Sequence, residues 1–293
     1  MPNPLHMLAT PPRLTNATLL LALTGWMDGG EVSTGTVKHL MDKRNLTPIA
    51  RIDADPFYIF NFPGPMEIAA VFRPEISIRK GLVRRSPKFP ENLFQVDVAN
   101  NLVFFLGAEP NLRWQAFADA IFELAAALGV TRIIFMGSFG GTVPHTREPR
   151  LFGSVSHRHL TDILTVNNLK PSDYTGPSSF STFLLAQAPK RSIEMIACVA
   201  EIPGYLNGEN PLSIEAVTRR MGKLLNQPID FDALRKASNA WELQVTEAVE
   251  KDAELAATVK KLEEAYDNEL IGNPPPPDSP PDSPPDSDAP TEE

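Results

Sequence analysis

Apolar residues along this chain come in two alternating rhythms. Residues 17–25 (ATLLLALTG) form an unbroken apolar run, the pattern of a strand covered on both faces. Residues 48–54 (PIARIDA), 101–111 (NLVFFLGAEPN), 131–137 (TRIIFMG) and 192–203 (SIEMIACVAEIP) read as further strands. Between them the period changes to three and four. Residues 31–45 set Val32, Thr36, His39 and Leu40 at helical intervals. Residues 112–129 do the same with Trp114, Phe117, Ile121, Leu124 and Leu128, and Gly129 closes the helix. Strands alternating with helices predict an α/β layered fold with a mainly parallel sheet.

The rhythm changes after Pro203. Asn210-Pro211 reads as a helix start, with proline in the first turn, and that helix runs to about Asn226. Pro228 breaks it, and Asp230 is placed to cap a second helix reaching Tyr266. Trp241, Val245, Val249, Ala256, Val259, Leu262 and Tyr266 share one stripe of it, opposite a highly charged face. This is a helical C-terminal subdomain, packed on the sheet or on a neighbouring subunit, with Trp241 and Tyr266 as candidate interface residues. The divisions are 1–206 for the α/β part, 207–271 for the helical part and 272–293 for a tail. The tail repeats Pro-Pro-Asp-Ser, so it reads as extended, disordered and solubilising.

Charge sharpens this picture. The formal net charge of the 293 residues is −9. Residues 273–293 hold Asp278, Asp282, Asp286, Asp288, Glu292 and Glu293 and no Lys or Arg, which is −6 and leaves −3 for the rest. Near-neutrality there argues against a nucleic-acid-binding surface. No apolar run approaches the roughly 20 residues of a membrane span. The run 19–23 has neither a basic lead nor a small-residue cleavage site, so no signal peptide is read. A lone cysteine, Cys198 in an apolar strand, fits a reducing cytoplasm and a buried side chain.

Candidate chemistry gathers at glycines that follow strands. Residues 137–141 (GSFGG) have no phosphate-loop lysine, no G-x-S-x-G elbow and no dinucleotide fingerprint. Consecutive glycines at a strand's carboxyl end can still turn backbone N–H groups toward an anion. Gly140 and Gly141 are the candidate donors, with His145 and Arg147 beside them. Asp28, in WMDGG after the first strand, Glu109 after the third and Ser138 complete a candidate ligand pocket. Asp before Gly-Gly is also ordinary turn chemistry. His157 and His159 share one side of the chain if residues 154–160 are extended, but two imidazoles do not make a metal site. No metal, cofactor or catalytic set is assigned.

Five stretches taken together carry a resemblance. They are LTGWMDGGEVSTGTVKHL (23–40), ARIDADPFYIF (50–60), GAEPNLRWQAFADAIFELAAALGV (107–130), FMGSFGGTVPHTREP (135–149) and AEIPGYLNGENPLSIEAV (200–217). In this order they resemble the bacterial branch of the proteasome assembly chaperone 2 family. The resemblance implies a three-layer α/β/α sandwich of nucleoside-phosphorylase-like type with a helical C-terminal extension. It also implies self-association, first of all as a trimer, and relatives that hold proteasome α subunits. Proteasome-docking relatives often end in a hydrophobic residue, a tyrosine and one last residue; the sequence here ends PTEE and departs from that pattern. Two functions follow as expectations. The first is a non-catalytic, oligomeric, cytoplasmic assembly-chaperone-like protein. The alternative is a phosphate- or nucleoside-binding protein or enzyme using Asp28, Glu109, Ser138, Gly140, Gly141, His145 and Arg147.

Overall fold

A computed structural model describes residues 3–272; the acidic proline-rich stretch, read above as a disordered tail, lies outside the described residues. In chain order the elements begin with β1 (Leu5–Met7), β2 (Ala17–Thr24), α1 (Val32–Met41), β3 (Thr47–Ile52) and α2 (Met66–Val71). Next come β4 (Ser77–Arg79), β5 (Leu82–Arg85), β6 (Asn92–Asp97), β7 (Leu102–Ala108), α3 (Trp114–Ala127) and β8 (Val130–Gly141). Then follow β9 (Leu151–Val155), α4 (Thr161–Val166), β10 (Lys170–Pro171), α5 (Phe180–Gln187) and β11 (Glu194–Pro203). Three helices finish the described chain: α6 (Pro211–Leu225), α7 (Asp232–Glu250) and α8 (Ala253–Gly272).

Nine strands form one sheet in the order β1-β3-β6-β7-β2-β8-β11-β9-β10. The four central strands, β7, β2, β8 and β11, run parallel, as their apolar sequences require, because helices cover both faces. Antiparallel partners, β6 beside β7 and β9 beside β11, extend the sheet outward. Alternation within β2 shows how the faces are filled. Leu19, Leu21 and Leu23 enter one core with Phe105, Phe117, Phe135 and Phe180, under α3 and α5. Leu20 and Ala22 enter the other with Phe104, Met136 and Cys198, under α1 and α6. This is the three-layer sandwich.

Two details differ from the sequence reading. The helix expected over 230–266 is two helices, because Asp252 Oδ1 accepts from the Glu254 and Leu255 N–H groups, both at 3.1 Å, and so starts α8 anew. Residues 154–160 are not one extended run: β9 ends at Val155 and a 3-10 turn covers Arg158–Leu160. His159 then bonds Glu194 at 2.8 Å while His157 bonds Ser156, also at 2.8 Å. Asn210, by contrast, caps α6 through Ser213 N–H at 2.9 Å as the sequence predicts.

A long excursion, residues 53–91, joins β3 to β6. It carries α2 and the separate hairpin β4–β5. Because β3 runs parallel to β7, this excursion leaves the sheet at the carboxyl edge of the central strands, the edge that also holds the glycine segments.

Candidate functional site

At that carboxyl edge the loop after β2 is fixed from below and from the side. Asp28 pairs with Ser138 as a backbone bridge, and Ser138 N–H donates to Met27 O at 2.9 Å. The Asp28 carboxylate turns toward α1, accepting from Thr34 N–H and Thr34 Oγ1, each at 2.9 Å. Burial pushes its pKa up, while the Thr34 bonds pull the other way. The fully buried Ser138 hydroxyl donates to Gly29 O at 2.6 Å. Glu109 staples two segments at once: Oε2 accepts from Trp26 N–H at 3.0 Å and Oε1 from Phe180 N–H at 2.6 Å, at the first turn of α5.

Gly140 and Gly141 occupy the last rungs of β8, opposite Ile202 and Pro203 of β11. The amides just beyond them do face an anion, and that anion is the protein's own. Glu201 Oε1 accepts from Thr142 N–H at 2.6 Å and from Val143 N–H at 3.2 Å. Its Oε2 accepts from Arg150 Nη1 at 3.1 Å. Gly141 is required here: a Cβ would sit 2.5 Å from Glu201 Cγ, where no atom fits.

His145 is 1% exposed and bonded at both ring nitrogens. Nδ1 lies 2.7 Å from Tyr205 Oη and Nε2 lies 3.1 Å from Thr246 Oγ1 of α7. Thr246 donates to Glu242 O, which leaves its oxygen to accept from Nε2–H, and the Tyr205 hydroxyl, which accepts from the His145 backbone N–H, is placed to donate to Nδ1. Burial, the largest influence, lowers the ring's pKa and so favours the neutral form. Trp241 meets the same ring edge-on, with centroids 6.5 Å apart.

Arg147 makes a fork with Asp267 of α8, Nε to Oδ1 and Nη2 to Oδ2, both at 2.8 Å. That fork holds the Asp267 carboxyl below its ordinary pKa and the Arg147 guanidinium above its own. Thr146 donates to Glu263 of α8. Tyr266, almost wholly buried, donates to Glu148 O at 2.9 Å and lies under the Arg150 guanidinium, 4.5 Å from the ring centroid. Arg150 reaches Glu269 at 2.7 Å, and Lys170 reaches the same carboxylate at 2.6 Å. Loop 142–150 is thus a socket for α8, with α7 closing over His145.

The structure brings Gly140 and Gly141 at the end of β8 together with His145 and Arg147 of the loop that follows, and sets Asp28 on the β2–α1 turn, bridged to Ser138 of β8, with Glu109 at the α5 end of the edge. Trp241 and Tyr266 pack inward on that assembly. Sequence reasoning missed Glu201, Arg150 and Tyr205. Glu201 carries a signal, an acid inside an apolar strand, which obliges a buried partner. The arrangement holds the neutral His145 and several spent carboxylates, with no hydroxyl or thiol freed for attack: Cys198 is buried and its pKa is pushed up to about 12. Among the described residues, no group of three or more His, Cys, Asp or Glu is placed to hold a metal ion, and no helix is long and apolar enough to cross a membrane.

The model of the PAC2 family matches residues 22–249. Among solved structures, the chain is similar to a protein of unknown function from Corynebacterium glutamicum ATCC 13032, at 22% identity and a TM-score of 0.78, over 93% of this chain and 100% of that one. It is similar to a proteasome-assembly chaperone homologue from Mycobacterium tuberculosis, at 25% identity and a TM-score of 0.71, over 83% of this chain and 99% of that one. It is also similar to an archaeal proteasome activator from Pyrococcus furiosus, at 17% identity and a TM-score of 0.63, over 84% and 99% of the two chains. No curated protein matches.

Proposed function

The chain belongs to the PAC2 family, and from that membership we propose that it is a non-catalytic, assembly-chaperone-like protein that binds protein subunits. One observation carries this reading: the polar groups of the conspicuous loop are taken up by the protein's own Glu201, Tyr205, Thr246, Glu263 and Asp267. Asp28, Glu109 and Ser138 are positioning residues in this account, and Gly140, Gly141, His145 and Arg147 shape the seat of the C-terminal helices. What remains for partners is apolar surface at the same edge, above all Trp26, which is 63% exposed on the turn that Glu109 and Ser138 hold rigid. Two structural relatives are a proteasome-assembly chaperone homologue and a proteasome activator, so proteasome subunits are the partners to test first. Self-association as a trimer and a cytoplasmic location complete the proposal.

Affinity purification of the tagged chain from its own host, beside a Trp26→Ser variant, tests it. The expected result is recovery of subunits of a larger assembly in fixed ratio, reduced several-fold by the substitution. Recovery of the chain alone, with a stoichiometric phosphate or nucleoside compound, would replace this reading with the cleft one.

A further inference from the structure

Among the described residues, the hairpin β4–β5 stands apart from the nine-stranded sheet and has no third strand. A two-stranded hairpin is marginally stable in water unless something packs on it. Here Ile76, Ile78, Leu82 and Val83 are all exposed, Leu82 by 60%. The same segment is strongly basic: residues 73–88 hold Arg73, Arg79, Lys80, Arg84, Arg85 and Lys88 against the single acid Glu75, a net +5 in a chain of −9. Arg79, Lys80, Arg84 and Arg85 line a shallow concavity of about 490 Å³ with Ser77. Among the described residues, none of these four takes part in an ion pair.

We propose that this basic, apolar hairpin is the docking site for the acidic proline-rich segment of the same polypeptide, residues 273–293. The complementarity is chemical. The repeat supplies proline rings for Ile78, Leu82 and Val83, and aspartates for the neighbouring guanidinium groups, with six acids and no base. Chain length is compatible with it. α8 ends at Gly272, three residues after Glu269, which is tied to Lys170 of β10. β10 lies seven places from β3, from which the hairpin excursion departs, in the sheet order. At about 4.8 Å per strand this is about 34 Å. Twenty-one residues of proline-rich chain extend to about 65 Å at about 3.1 Å each. The contour length of residues 273–293 therefore exceeds the width of the sheet between β10 and β3, the strand from which the hairpin excursion departs.

A carbodiimide joins an ammonium to a carboxylate only where the two touch, so it is applied to the intact protein. Cross-links from Lys80 or Lys88 to Asp282, Asp286, Asp288 or Glu292 are expected by peptide mass spectrometry. A monomer band assigns them to the chain's own tail, and a dimer band to a second copy. They should vanish in high salt and in Arg84→Glu/Arg85→Glu, an exposed pair whose replacement leaves the circular dichroism unchanged. A labelled 273–293 peptide should bind protein lacking that segment about tenfold more tightly than the intact protein, and weaken about tenfold as salt screens the charges. Tail cross-links directed elsewhere, links undiminished in the double variant, or equal peptide binding by the intact and shortened proteins would each overturn the proposal. So would nuclease-sensitive nucleic acid retained on the hairpin in place of the tail.

Discussion

At the residue scale, Glu201 places a carboxylate in a strand that is otherwise apolar, and a buried carboxylate needs donors close by. Thr142 and Val143 amides and Arg150 supply them, and Gly141 leaves the space. Glu201→Leu leaves the Thr142 and Val143 N–H groups without their acceptor and removes one of the two carboxylates on Arg150, Glu269 being the other, and should cost about 1–3 kcal/mol in urea unfolding. Gly141→Ala overpacks the same point and should cost about 1–3 kcal/mol. A melting temperature unchanged by either substitution would contradict this account of the loop. His145 contributes a pH dependence whose sign follows from its neutral state. Its folded pKa is lowered from an ordinary 6.5, so below that value the unfolded chain takes up a proton that the folded chain refuses. Stability from this residue is full above pH 6.5 and falls as the pH drops from there toward the lowered folded pKa. Denaturation midpoints from pH 8 to 5 should show that decline, and His145→Gln should flatten it. The sequence exposes His145 and Arg147 as unusual residues after a glycine turn. It does not expose their partners, because Thr246 and Asp267 lie about a hundred residues away on helices whose packing only the fold decides.

At the element scale, β2, β7, β8, β11 and α3 were legible because each is either apolar throughout or apolar at helical steps. β6 was not: in its six residues, Asn-Leu-Phe-Gln-Val-Asp, the adjacent Leu93 and Phe94 break the alternation, a weak signal beside the central runs. The division between α7 and α8 was also missed, because the apolar stripe continues across Asp252 while the backbone does not. What joins α8 to the sheet is mostly polar: the Arg147–Asp267 fork, the Tyr266 hydroxyl and the Glu269 bridge to Arg150 and Lys170. Such a joint opens locally before the core does. Arg147→Ala, at a half-exposed pair, should leave the global unfolding midpoint nearly unchanged. Amide hydrogen exchange should nevertheless accelerate across residues 253–272 and remain unchanged in β2 and β8. Uniform acceleration in both places would show that α8 is no separate unit.

At the scale of the whole molecule, a parallel-centred sheet offers the carboxyl edge as the usual place for a ligand. In this PAC2 protein that edge is furnished with the chain's own side chains instead: Glu201 stands where an anion would bind, and α7 and α8 cover the loop that would close over it. Trp26 on the β2–α1 turn and the hairpin of the 53–91 excursion are the exposed apolar groups that the two proposals use, the first for partner proteins and the second for residues 273–293 of the chain itself. Native mass spectrometry of the protein purified gently from its own host tests this most directly. The account predicts a whole number of 32.2 kDa chains, three for the proposed trimer, alone or with partner subunits and with no small molecule attached. A constant small-molecule mass on every chain, lost in Arg147→Ala, would contradict it.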